Sequence, residues 1–176
     1  MKNFLTLLIL LATFNCAFAD ITLQGGTEFN VYSAHKEVKK TAEYKINPKK
    51  FLPHLKDKNK KENLVALLKG QVELKDRTLA KFSNGAYGII YKDDPLHAYY
   101  YSKNGILEYT DIKTHTQYPY KSYQYDINGN LVNMGLRVSK YETFLYNTKN
   151  ELIAHWIGEN GYNADGKIIM TRKFFE

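Results

Sequence analysis

Five histidines, His35, His54, His97, His115 and His155, are the side chains best suited to move protons or ligate a metal near neutral pH. None stands in an H-x-H or H-x-x-x-H pair, and no acidic cluster lies beside one, whereas a metal site draws three or four converging ligands. In Ala154-His155-Trp156, strand alternation sends His155 to the face opposite Trp156. No G-x-S-x-G is present, and Ser83-Asn84-Gly85 has the residue types of a turn between Phe82 and Tyr87. Asp93-Asp94-Pro95 resembles a carboxylate pair. Its simpler reading is a turn between a strand ending at Tyr91 and one starting at Leu96. Glu159 and Asp165 fall in loops. The sequence therefore nominates no catalytic set, no metal ligands and no cofactor, and it leans away from an enzyme.

Tyrosine and lysine are the remaining candidates. Thirteen of the fifteen tyrosines lie from Tyr87 onward, including Tyr99-Tyr100-Tyr101 and Tyr118-Pro119-Tyr120. On a strand Tyr99 and Tyr101 share a face and Tyr100 takes the other. Most serve as strand residues on a half-buried sheet. Tyr100, Tyr118, Tyr120 and Trp156 are nominated as an exposed aromatic platform able to stack on sugar rings or flat ligands. Residues 36–61 carry ten lysines against Glu37, Glu43 and Asp57, a local charge of +7 in a chain of net +7. Lys39, Lys40, Lys49, Lys50, Lys60 and Lys61 are the candidates there for an anionic envelope polymer or lipid head. Nucleic acid is not the expected partner, because export is expected and the run has only Tyr44 and Phe51 as interleaved aromatics. Lysine outnumbers arginine 22 to 3 throughout, so a compositional bias that makes every surface lysine-rich is the favoured explanation of the run.

The elements that must position these residues begin after an expected leader. Met1-Lys2-Asn3 is a short basic start, Phe4 to Phe14 is apolar, and Ala17-Phe18-Ala19 is a small-x-small cleavage pattern before Asp20. The apolar run is too short for the ~20 residues of a membrane-spanning helix, so cleavage after Ala19 and export to periplasm or medium are expected. The only cysteine, Cys16, would leave with residues 1–19, so the mature chain would have no thiol, disulfide or transmembrane segment. Residues 20–58 read as an N-terminal strand pair, Ile21-Thr22-Leu23 with Phe29 to Tyr32, followed by a lysine-rich linker with short helical turns, interrupted by Pro48 and Pro53. Asn59 and Glu62 have capping-box spacing, Leu64, Leu67 and Leu68 share a face, and Gly70 suits the position after a helix end. A helix this short needs a surface to pack on.

From residue 71 the pattern turns to short β-rich runs at 71–74, 77–82, 86–91, 96–102, 106–112, 120–126, 130–138, 141–147, 151–157 and 167–173. No helix-period segment separates them. The fold expected for residues 59–176 is therefore all-β, an antiparallel meander of short hairpins with one short N-terminal helix and a basic linker.

Within the meander four segments align without gaps, beginning at Tyr101, Tyr125, Tyr146 and Tyr162 and ending at Leu107, Leu131, Leu152 and Ile168. Their second residues are Ser, Asp, Asn and Asn, and their fifth are Gly105, Gly129, Asn150 and Gly166. Those types specify a three-residue hairpin loop, a type I turn closed by a left-handed bulge residue. In that register each tyrosine opposes the leucine or isoleucine six positions on. A two-residue turn would instead point the pair to opposite faces.

Tyr125-Asp126-Ile127-Asn128-Gly129-Asn130-Leu131 resembles the unit of bacterial YD-repeat proteins, and the looser Tyr-x-x-x-Gly-x-Leu units resemble the hairpin repeats of exported variant MORN-type proteins. The likeness covers residues 101–168. It implies a hairpin-repeat protein and transfers no catalytic residue. The leading expectation is an exported, non-catalytic binding or structural β-repeat protein for envelope glycans or anionic polymers. An envelope hydrolase or its inhibitor, and an assembly subunit pairing through strand edges, are the alternatives.

Overall fold

The structure, a computed structural model, describes residues 20–22, 28–30, 36 and 38–173. The expected leader lies outside them. Two three-residue strands, β1 (Asp20–Thr22) and β2 (Glu28–Asn30), pair antiparallel with Ile21 opposite Phe29. A 3-10 turn spans Pro48–His54, and helix α1 spans Lys60–Leu68. Ten further strands follow: β3 (Arg77–Phe82), β4 (Tyr87–Tyr91), β5 (Asp94–Tyr101), β6 (Leu107–Lys113), β7 (Tyr120–Asp126), β8 (Leu131–Arg137), β9 (Glu142–Asn147), β10 (Leu152–Ile157), β11 (Asn160–Tyr162) and β12 (Ile168–Lys173).

Every consecutive pair from β3 to β12 is antiparallel, and β12 returns to β3 through Arg172 opposite Phe82, so the meander closes into a barrel. Nine of the ten expected strands form. Residues 71–74 do not: Val72 and Leu74 instead bond locally to Leu79 and Arg77 as the chain enters β3. The short β11 stands where no strand was expected, within Asn160-Gly161-Tyr162, whose composition reads as loop.

The repeated turn has the bulged geometry in all four units. Tyr101, Tyr125, Tyr146 and Tyr162 lie opposite Leu107, Leu131, Leu152 and Ile168. Gly105, Gly129, Asn150 and Gly166 have φ of 74°, 78°, 67° and 76°. In each unit the fifth N–H donates to the second carbonyl, at 2.8–3.0 Å. A fifth copy has Lys81 in place of the leading tyrosine: Gly85 has φ 84° and donates to Phe82 O, with Lys81 opposite Tyr87. Four units would leave an open sheet. The fifth hairpin supplies the last two of the ten strands that close.

Pleating divides the barrel side chains into two sets. Tyr87, Ile89, Tyr99, Tyr101, Tyr123, Tyr125, Met134, Leu136, Phe144 and Tyr146 point outward and form the buried apolar core with residues of the N-terminal segment. The expected linker over residues 36–58 is thus corrected to a strap that crosses the outer wall. Val38 is 0% exposed and Phe51 1%, which no solvated linker would show. Tyr123 Oη donates to Val38 O at 2.7 Å and Tyr125 Oη to Glu43 O at 3.0 Å.

The strap grips two hairpins in the same way. Ile46 N–H donates to Gly129 O and Leu131 N–H to Tyr44 O, at 2.8 and 2.9 Å. Eleven residues on, Asp57 N–H donates to Gly105 O and Leu107 N–H to Leu55 O, at 2.9 and 3.0 Å. A bulge leaves these groups out of the hairpin ladder, and buried backbone groups need partners.

Asp57 is the hub at the second grip. It accepts from Tyr87 Oη at 2.6 Å, Asn63 Nδ2 at 2.9 Å and Asn59 N–H at 2.9 Å, and so ties the strap to the start of α1, where the expected Asn59 side chain makes no capping bond. Glu62 also leaves the capping box and meets the buried Arg77 at 2.6 Å. The buried face of α1 is Asn63, Ala66 and Leu67, whereas Leu68, expected on that face, is 77% exposed. Gly70 has φ 77° just past the helix, as expected.

Gly129 and Gly166 share one turn position and nearly one φ, but only Gly129 lies under the strap. A Cβ there would sit 2.2 Å from Ile46 O, whereas one at Gly166 meets nothing within 4 Å. Gly166→Ala should therefore cost only the left-handed strain, roughly 1–2 kcal/mol. Gly129→Ala should cost at least about 1 kcal/mol more, because it also displaces the strap. Urea denaturation of the two variants checks this, and equal losses would contradict strap docking.

Candidate functional site

The inward set encloses a cavity of about 350 Å³. Its walls come from alternate residues of successive strands: Ala98 and Tyr100 of β5, Tyr109, Asp111 and Lys113 of β6, Tyr120, Ser122 and Gln124 of β7, and Arg137 of β8. Thr143 and Leu145 of β9, Ala154 and Trp156 of β10, and Met170 and Arg172 of β12 complete the ring with Phe82 and Ile90. A packed barrel fills this space with side chains. Two glycines help to prevent that. Gly88 lies opposite Tyr100, and a Cβ there would be 3.3 Å from the Tyr100 ring. Gly161 lies opposite Trp156, and a Cβ there would be 3.0 Å from the indole. Both rings thus lie against the wall.

The two ends of the cavity differ. Asn84, Glu108, Tyr109 and Ile169 are lining residues exposed to solvent, and all belong to the hairpin-turn end, which marks the mouth. At the other end Tyr118 stacks on Tyr120 at 5.5 Å, with Arg137 5.8 Å from the Tyr118 ring and Lys113 5.6 Å from the Tyr120 ring. Arg137 also donates to Tyr120 Oη at 3.4 Å and to Lys140 O at 2.8 Å. Attraction between cations and aromatic faces packs these four side chains together as the floor of the cavity.

Polar groups concentrate in the interior. Tyr100 Oη donates to Asp111 Oδ2 at 3.3 Å, and Asn133 Nδ2 donates to Gln124 Oε1 at 2.6 Å. Asp111 Oδ1 and Thr143 Oγ1 are buried without a hydrogen-bond partner, where such groups ordinarily find one. Burial pushes the Asp111 carboxyl up to about 6, against the pull of Gln124, Tyr100, Lys113 and Arg137. Burial and the neighbouring Arg137 bring Arg172 down to about 10, and Arg172 lies over the Trp156 ring at 4.5 Å. Lys113 is lowered by the same two causes.

Tyr100, Tyr120 and Trp156, nominated from sequence as an exposed platform, are therefore brought together inside the barrel, and Tyr118 braces the floor. Tyr120 is only 5% exposed. Alternation does set Tyr100 apart from Tyr99 and Tyr101, but a closed sheet turns the face opposite the core into a lumen. Asp111, Lys113, Arg137 and Arg172 were not nominated. The signal for Asp111 and Lys113 was the period-2 run Tyr109-x-Asp111-x-Lys113, on the same face as Tyr100. Lys39, Lys40, Lys49 and Lys50 are exposed along the strap and Lys61 on α1, while the Lys60 stem lies on Gly105. The structure brings none of the six into the cavity.

Two histidines sit in acid-paired contacts on the outer wall. His97 Nδ1 is 2.7 Å from Asp94 Oδ1, Tyr99 Oη donates to Asp94 Oδ2 at 2.9 Å, and His54 stacks on Tyr99 at 4.0 Å. His155 meets Glu142 at 2.8 Å and stacks on Phe144 at 4.2 Å, on the face opposite Trp156 as alternation required. Among the described residues, no three His, Cys, Asp or Glu side chains group to hold a metal ion, and no helix is long and apolar enough to cross a membrane. No protein-family model, curated protein or solved structure matches the chain.

A carboxyl whose folded pKa is raised from 3.8 to about 6 favours folding while protonated. That stability is complete below pH 4 and is lost as pH rises through 6. Asp111→Asn keeps the shape without the charge. It should be more stable than wild type at pH 7 by on the order of 2–3 kcal/mol, with the advantage fading toward pH 4. Urea midpoints measured from pH 4 to 7 for both proteins check the sign.

Proposed function

We propose that this is an exported, non-catalytic binding protein whose barrel holds one small ligand in its interior. The observation that carries the reading is the cavity. It lies inside a ten-strand ring, with glycines holding Tyr100 and Trp156 against the wall and buried polar atoms left without protein partners. Ligand sites are concave, mostly apolar and furnished with a few placed polar groups. About 350 Å³ admits a molecule of one or two rings and no polymer, so the aromatic residues serve a small molecule, a single sugar included, rather than a glycan chain. Export follows from the basic, apolar and small-x-small order of residues 1–19. The seven-residue hairpin, the feature that resembles the units of YD-repeat and variant MORN-type proteins, serves here as the unit of a closed barrel. Assembly through strand edges is disfavoured, because every strand from β3 to β12 is paired on both sides.

Trp156 is the only tryptophan in the chain and lines the cavity, so it reports occupancy directly. A naphthylamine fluorophore, charged or neutral, should bind one to one and take energy from Trp156. Ala98→Phe or Ala154→Phe should fill the space and abolish binding while far-ultraviolet dichroism is retained. Failure of both the charged and the neutral probe to bind, or binding untouched by both filled variants, would refute an interior site.

A further inference from the structure

The interior is not electrically neutral. Three lining residues are cations, Lys113, Arg137 and Arg172, and two are carboxylates, Asp111 and Glu108. Glu108 is exposed at the mouth, which leaves Asp111 as the carboxylate within, and burial weakens its acidity. Arg137 lies close enough to depress the protonation of both Arg172 and Lys113. Cations gathered in a low-dielectric space repel one another and favour an anion among them. Aromatic rings adjoin this charge: Phe82 is 6.4 Å from Trp156, edge to face, and 5.9 Å from Tyr100. Thr143 Oγ1, buried without a partner, supplies a hydroxyl donor on the same lining.

Resting on the reading that the lumen holds a ligand, we infer that this ligand is a small aromatic anion, a carboxylate or sulfonate, with its charged group beside Arg137 and Arg172 and its ring among Phe82, Tyr100 and Trp156. The charged group enters first, because the cations Lys113 and Arg137 belong to the floor and the exposed apolar residues Tyr109 and Ile169 to the mouth. An arginine fork suits a planar carboxylate or a sulfonate, and ion-assisted hydrogen bonds are stronger than neutral ones.

The test is a matched pair of probes on the full mature protein. One is 8-anilinonaphthalene-1-sulfonate, and the other is N-phenyl-1-naphthylamine, the same skeleton without the sulfonate. The sulfonate should bind about tenfold tighter or more, in line with one charge-assisted hydrogen bond. That preference should shrink to about twofold in Arg137→Gln and in Arg172→Gln. Should either variant fail to fold, Lys113→Gln and a salt titration of wild type serve instead, and each should reduce the preference selectively for the sulfonate. Equal binding of the two probes, or a preference unchanged in folded arginine variants, would overturn the anion assignment while leaving an interior site standing. Failure of both probes to bind would overturn the interior site itself, and the anion assignment with it.

Discussion

The structure depends on one contact: the outer tyrosine face of the barrel against the strap, residues 38–58, and the helix α1 that follows it. A β-sheet has two faces, and a small barrel ordinarily puts its apolar face inside. Here the apolar face is outside. Tyr87, Tyr123 and Tyr125 are buried there with their hydroxyls donating to Asp57, Val38 O and Glu43 O. A buried tyrosine needs a partner for its hydroxyl, and the strap supplies both the apolar cover and the acceptors. Once the core lies outside the ring, the inner face need not fill its own space. It can carry Asp111, Arg137 and Arg172 instead.

The grip on the hairpins explains how so irregular a strap stays in register. Tyr44 to Ile46 and Leu55 to Asp57 bond the same fifth and seventh positions of two units. The left-handed residue frees a carbonyl at one position, and the bulge frees an N–H two positions on. The turn that ends each hairpin is thus also a docking site. At Gly129 the approach is so close that only glycine fits. Asp57, Asn63 and Arg77 then tie the strap, α1 and β3 into one buried network. Breaking one partner of such a network strands the others.

Much of this was legible in the residues. Ser, Asp or Asn at the second position with Gly or Asn at the fifth specified the bulged hairpin, and the register of Tyr125 against Leu131 followed. Alternation separated Tyr100 from Tyr99 and Tyr101, and His155 from Trp156. What the sequence concealed were relations between distant segments. Whether a meander stays open or closes depends on the weak pairing of β12 with β3, and Lys81 in the leading position hid the fifth hairpin. Closure then reversed the meaning of a face, since a polar side reads as solvent-facing until the sheet curls round it. The lysine-rich run misled for a related reason. Its composition is that of a linker, while its few apolar residues, Val38, Ile46, Phe51 and Leu55, are the ones that meet the wall.

Hydrogen exchange at the strap amides tests the central claim most directly. Ile46 N–H and Asp57 N–H bond to Gly129 O and Gly105 O, so both should open only with the barrel and show the protection of the β7 and β8 amides. Exchange of those two amides at unprotected rates, with the barrel amides still protected, would mean that the strap does not cover the wall, and would contradict the account that places the core outside the ring.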